Sequence, residues 1–283
     1  MLELLDASAV RRWCSAAVEG LDSRRGEIDD LNVFPIPDGD TGTNLALTMH
    51  GAADAVAADR SGTVGGVVAA MAKGALMGAR GNSGVIVSQI ISGLAEAFEG
   101  AVDADGRLLV KGLRLATDAA YAAVADPVEG TMLSVVRACA EAAERLGESP
   151  ELAAAVAAAA AGGAAALADT PHQLAVLAEA GVVDAGGCGL LVLLDCLAAV
   201  ITGQGSAGPA LRAPARSRQA LEMVRESGSP EFGYEVQYLL HAPEAALVVL
   251  KATLADLGDS LVVVGSGDGL FNVHVHVNDV GAA

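Results

Sequence analysis

A chain of 283 residues is long enough to bury a substantial core, and one domain with a smaller second unit is the expected organisation. Hydrophobic residues make up 53% but aromatics only 3%, because alanine dominates the apolar content; this favours closely packed helices and argues against an all-β fold. With 35 acidic against 17 basic residues, the formal net charge of −18 opposes nucleic-acid partners, whose phosphates are gripped by Lys and Arg.

In chain order, residues 6 to about 30 start at a candidate Asp6 cap and carry Ala9, Val10, Trp13, Ala16, Ala17 and Leu21 at helical spacing. A crowded loop follows, "NVFPIPDGDTGTN" at 32–44. Helical patterns then recur at roughly 44–58, 64–77, 83–99, 108–125, 131–147, 151–168, 171–180 and 189–202, with no fixed-period repeat. Neither the alanine and glycine run at 153–168 nor "LLVLLDCLAAVI" at 190–201, interrupted by Asp195, reads as a membrane span. The N-terminus lacks an export signal, so a cytoplasmic location is expected. Cys14, Cys139, Cys188 and Cys196 lack CxxC spacing and read as reduced, mostly buried thiols.

Three more glycine-rich loops each precede an apolar helix: "GARGNSG" (78–84), "DPVEGTM" (126–132) and "VVDAGGCG" (182–189). Helix starts carry free N–H groups, so a bundle that gathered these starts at one end would aim them at a single anion. From 203 to about 217 periodicity gives way to Gly, Pro and Ser, the composition of a linker. The remainder, 218–283, reads as a small α+β unit: a strand in "FGYEVQYLL", a helix in "PEAALVVLKATLADLG", and two strands around a Gly-Asp-Gly turn.

Chemistry concentrates in "PDGDTGTN". Asp38 and Asp40, with glycine between them, can face one point in a curled loop, and hard carboxylate ligands of this kind suit Mg²⁺ that completes its shell with water and phosphate. Their mutual repulsion invites a cation. The plain alternative is a turn in which Asp and Gly are at home anyway. In "GNSG", Asn82 and Ser83 offer donors at a helix start, and a simple cap is an equal alternative there. No Walker or dinucleotide-binding glycine motif is present.

Taken together, "NVFPIPDGDTGTN", "GARGNSGVIVSQI", "EGTMLSVVRACAEAA" and "GVVDAGGCGLLVLL" closely resemble the N-terminal domain of the bacterial fatty acid kinase A protein, which is similar to the nucleotide-binding L domain of dihydroxyacetone kinases. The resemblance covers about 1–202 and, through "FGYEVQYLL" and "VHVHVND", most of the rest, but not the family's further C-terminal domain. It implies a mainly α fold, with a barrel of helices holding ATP and Mg²⁺ at one end, followed by the α+β unit. It also implies phosphoryl transfer to a fatty acid presented by a separate fatty-acid-binding partner protein; a homodimer is left open. By the resemblance, Asp38 and Asp40 hold magnesium and serve catalysis, with Asn32 as the candidate third ligand where relatives use an aspartate. Thr41, Thr43, Asn44, Asn82, Ser83 and Gly84 would surround the phosphates, Thr131 and Met132 the nucleoside, with Asp184 and Gly186 in a matching loop. Arg80 would either clamp phosphate or stay solvated.

His274 and His276 alternate with valines, so in a strand both rings project to one face. The resembling middle domain pairs two such histidines with a cysteine as a zinc site; Glu235 stands at that cysteine position and can itself ligate zinc, the alternative being strand histidines without metal. His50, His172 and His241 read as lone surface or cap histidines. An ionised fatty carboxylate is already nucleophilic and needs positioning more than a base, which suits a motif set without a catalytic histidine. A hydroxyl-accepting phosphotransferase and a non-catalytic nucleotide- or metal-binding scaffold are the other readings of the same motifs.

Overall fold

The structure, a computed structural model, describes residues 1–204, 231–265 and 269–283. The first part is helical: α1 (Ala7–Leu31), α2 (Thr41–Ala58), α3 (Val64–Gly78), α4 (Gly81–Ala97), α5 (Gly106–Ala123), α6 (Met132–Glu144), α7 (Leu152–Gln173), α8 (Ala175–Ala180) and α9 (Ala185–Thr202). Each long helix packs on the next, α7 packs on α9, and α9 returns to α1, which closes a ring of eight helices with the short α8 linking α7 to α9. Leu21, Ile28, Leu45, Met71, Ile91 and Leu109 fill its interior, each fully buried and each worth about 1.5–3 kcal/mol of burial. Trp13 ties the first helix to the last by donating Nε1–H to the Leu193 carbonyl at 2.9 Å.

The helices expected from periodicity are all present, with three instructive shifts. α2 and α4 begin at Thr41 and Gly81, a few residues before the expected 44 and 83, so motif residues read as loop form the first helical turns. α9 begins at Ala185 instead of 189, because the buried Asp184 side chain caps Gly187 N–H at 2.6 Å. The break expected before 171 lies instead at Leu174, and α7 continues through Pro171. Proline cannot donate to the Leu167 carbonyl; the Thr170 hydroxyl does so at 2.8 Å, which removes the usual penalty.

Among the described residues, α7 and α9 are long and apolar enough to cross a membrane by length and composition alone. Both belong to the ring, and their Val156, Leu167, Leu191 and Leu194 lie in its core. All four cysteines are free thiols, three of them buried. The expected linker at 203–217 and the start of the second unit to 230 lie largely outside the described residues.

The second unit is an antiparallel sheet of order β1-β3-β2, made of β1 (Tyr234–His241), β2 (Gly258–Gly265) and β3 (Leu270–Val277), with α10 (Glu244–Leu257) between β1 and β2 in the chain. Alternation divides β3. Phe271, Val273, Val275 and Val277 pack with Leu254 of α10, whereas Asn272, His274 and His276 share the opposite face with their cross-strand neighbours Leu239, Gln237 and Glu235. That second face docks on the helical ring. Val262 and Val264 pack with Leu76, Ala79, Val85 and Ala123, Asn272 Nδ2–H donates to the Leu76 carbonyl at 3.1 Å, and Gln237 Nε2–H donates to Ala79 at 2.9 Å. β3 is buried along its whole length because both of its faces are covered.

Candidate functional site

The docked sheet and one end of the ring enclose a cavity of about 300 Å³. Helices that alternate direction around a ring put the starts of α2, α4, α6 and α9 at the same end. The cavity is lined accordingly by Asp40, Thr41 and Asn44, by Gly81, Asn82 and Ser83, by Thr131 and Met132, and by Asp184 and Gly186. Asn32 and Asp38 line it from the first loop, and Glu235, His274 and His276 from the sheet. The carboxylate pair and the histidine pair are separate features of the sequence; in the fold they face one space.

Gly39 adopts φ 68° between the two aspartates, a conformation that curls the loop and that glycine takes without a Cβ clash. Burial and the neighbouring Asp40 charge push the Asp38 carboxyl up to about 7, and Glu235 is raised by burial and by Asp40. Three acidic groups thus converge, and no lysine or arginine lines the cavity among the described residues. Such an arrangement suits a hard divalent cation, which removes the repulsion the three groups create.

Asn32 differs from its expected role. Its Oδ1 accepts from Asp40 N–H and Thr41 N–H, each at 3.2 Å, and from the Thr41 hydroxyl at 2.8 Å, while its Nδ2 donates to the Ile36 carbonyl at 2.7 Å. An amide oxygen with three donors already on it is a brace of the metal loop, not a third ligand. Thr43 differs too. Its N–H and hydroxyl both go to the buried Asp29 carboxylate, each at 2.9 Å, and it does not line the cavity. Gly84 packs on Thr48, whose hydroxyl oxygen would lie 2.3 Å from a Cβ there, so it serves helix packing. Arg80 lies outside the cavity, donating its guanidinium to the Ala79 carbonyl at 2.9 Å.

These hydrogen bonds sort the four helix starts. Asp29 and Asn32 take the N–H groups of α2, Thr131 accepts from Leu133 N–H in α6, and Asp184 accepts from Gly187 N–H in α9. No side chain caps α4. Its first-turn N–H groups face the cavity, with the Asn82 Oδ1 buried beside them and without a partner among the described residues. The α4 start is therefore the one set up for an anion.

Burial raises Asp184 to about 6. On the adjoining rim, Glu129 accepts from Arg137 at 2.6 and 2.7 Å and from Tyr121 at 3.0 Å, and Arg137 holds it down to about 2. Ser134, also bonded to Glu129, accepts from Gly130 N–H at 2.8 Å, so this network fixes the loop that leads into Thr131 and Met132. Sequence reading missed both this network and Asp29. The i,i+4 pair of Gly130 and Ser134 was the only local signal, and a weak one.

In the sheet, His274 and His276 meet through their Nε2 atoms at 3.1 Å, and Glu235 Oε1 lies 3.3 Å from His274 Nδ1, which has no hydrogen bond. One ligand atom from each of the three falls within 4.8 Å of the others. Burial, then the neighbouring His276, drives His274 down to about 3, which keeps it neutral and able to ligate. By contrast His50 and His172 make exposed contacts with Asp22 and Asp169 at 3.0 and 2.9 Å, in keeping with surface roles.

Residues 35–199 match the DAK2 domain, and residues 231–283 match the middle domain of FakA-like fatty acid kinases. Protein YloV of Bacillus subtilis is 34% identical over 99% of this chain and 52% of its own length. An uncharacterized protein of Staphylococcus haemolyticus is 33% identical over 93% of this chain and 49% of its own length. One from Staphylococcus aureus is 38% identical over 66% of this chain and 34% of its own length. The chain spans about half the length of the first two, and less of the third.

Proposed function

The chain belongs to the DAK2-domain family, with a FakA-like middle domain, and from that premise we propose that it transfers the γ-phosphoryl group of Mg-ATP to a fatty acid carboxylate presented by a fatty-acid-binding partner protein, giving an acyl phosphate. The observation that carries the reading is the pairing, in one cavity without Lys or Arg among its described lining, of the Asp38, Asp40 and Glu235 carboxylates with the uncapped start of α4. A ligand that is both polyanionic and cation-bound matches both halves.

Asp38 and Asp40 would hold magnesium, which supplies charge neutralisation for the transferring phosphoryl group. The N–H groups of Gly81, Asn82 and Ser83 receive phosphate oxygens, and Asn44 stands beside them. Thr131, Met132, Asp184 and Gly186 border the nucleoside side. The acceptor carboxylate arrives ionised, so orientation and exclusion of water are what the chain must provide, and no residue has to remove a proton. Glu235, His274 and His276 have the donor set for zinc, which would fasten β1 to β3 at the cavity wall. A cytoplasmic location belongs to the same reading.

The test is calorimetric titration of ATP with and without Mg²⁺ into the parent chain and into folded Asp38→Ala and Asp40→Ala variants. Hydroxylamine trapping of acyl phosphate with a lipid-loaded partner then identifies the acceptor. Binding that ignores Mg²⁺ or survives both substitutions sinks the kinase reading; phosphorylation of dihydroxyacetone in place of a fatty acid moves the acceptor to a hydroxyl.

A further inference from the structure

Ser260 is the one non-glycine residue with a positive φ, 55°, among the described residues. It sits in an irregularity of β2, where the pairing with β3 shifts register between Asp259 and Val262. A left-handed serine is a local cost that glycine would avoid, and bulges of this kind re-aim side chains. Here Ser260, Leu261 and Val262 all line the cavity. The Ser260 hydroxyl has no hydrogen-bond partner among the described residues, so the strained turn is not repaid by an internal contact.

Strand order fixes which part of the cavity this turn faces. β1, with Glu235, is one edge of the sheet and β2 is the other, with His274 and His276 between them on β3. At the β2 edge, Val262 forms a β-bridge with Val124, at the head of the loop that runs through Asp126 and Val128 to Thr131. Val128 is 38% exposed and Leu261 is half-buried, which leaves apolar surface on both the ring side and the sheet side of this edge.

We propose that the β2 turn makes the α+β unit part of the nucleoside-recognition site: Leu261 and Val128 cover the base, and the Ser260 hydroxyl bonds a polar edge of the nucleoside. The inference rests on the Mg-ATP reading above and extends it, since nucleoside selection would then require the sheet as well as the helical ring. A positioned neutral hydrogen bond contributes about three- to tenfold in affinity.

The experiment uses the full chain with two probes, Mg-ATP and Mg-tripolyphosphate, the second carrying the phosphates without a nucleoside. Ser260→Ala keeps the strained turn and removes the hydroxyl; Ser260→Gly removes both. Both variants are expected to bind Mg-ATP about three- to tenfold more weakly, with Mg-tripolyphosphate unchanged and the Ser260→Gly melting temperature at or above the parent's. Unchanged ATP affinity in both variants, or an equal loss with tripolyphosphate, overturns the assignment. A parent chain that binds tripolyphosphate but not ATP overturns it while sparing the metal and phosphate site. A parent that binds neither removes the Mg-ATP reading and this inference with it.

Discussion

Lowering the pH from 8 to 6 should weaken magnesium binding through Asp38. With its carboxyl pushed up to about 7 by burial and by Asp40, the ionised fraction falls from about 0.9 to about 0.1 over that interval. A cation that requires the carboxylate then loses about ninefold in apparent affinity, or about 1.3 kcal/mol. The assay is calorimetric titration of Mg²⁺ without nucleotide, in two buffers of different protonation enthalpy, so that proton release is counted directly. About one proton per site should be released at pH 6 and close to none at pH 8. Glu235→Gln, which removes one contributor to the shift, should move the midpoint down while leaving Asp38 and Asp40 in place. The sign for stability is opposite. Because the folded carboxyl is raised above its unfolded value, the metal-free chain gains stability from this site as pH falls from about 7 toward 4, and loses it as pH rises. An affinity that is flat from pH 6 to 8, with no proton released, refutes the argument that Asp38 is both buried and a ligand.

His274→Ala and His276→Ala should each lose bound zinc, read by elemental analysis after dialysis, while Mg-dependent ATP binding persists; zinc retained in both removes the metal assignment. Asn272→Ala leaves the Leu76 carbonyl without its donor and should cost about 1–3 kcal/mol in a denaturant melt if that carbonyl stays buried. Gly93→Ala would put a Cβ 2.4 Å from the Ala116 backbone nitrogen, where α4 and α5 touch. Backbone cannot yield as a side chain can, so about 1–3 kcal/mol of destabilisation or more is expected. Arg114→Ala breaks an ion pair with Glu144 whose partners are 39% and 36% exposed, so its melt should move by no more than about 1 kcal/mol.

The ring was legible because alternation of apolar and polar residues at helical spacing is a local property, and Ala9, Val10, Trp13, Ala17 and Leu21 lie on the buried face that this spacing predicts. Errors came where a distant or unusual partner replaced a local rule. Pro171 signals a break, yet the Thr170 hydroxyl satisfies the carbonyl that proline leaves behind. Asp38 and Asp40 were readable from a short local pattern, whereas Asp29 was not, because its partner Thr43 is on the next helix. Asn32 looked like a ligand by position in a motif. Only the direction of its hydrogen bonds reveals that its oxygen is already spent.

The largest gap concerns how the two units combine. Nothing in "VHVHV" indicates that its histidines face "PDGDTG" more than two hundred residues away in the chain, since that depends on which sheet face docks and where. The docking is decided by Asn272 and Gln237, which donate to the Leu76 and Ala79 carbonyls where α3 ends. Those carbonyls lack helical partners of their own, so an amide-bearing sheet face can seat there and an all-valine face cannot. Once Asn272 is seated, strand periodicity obliges His274 and His276 to share its face, and register brings Glu235 beside His276. The α3 end also leads directly into Gly81, Asn82 and Ser83. The same two amides therefore close the cavity and brace the approach to its anion-facing helix, which is why the sheet belongs to the site and not merely to the chain.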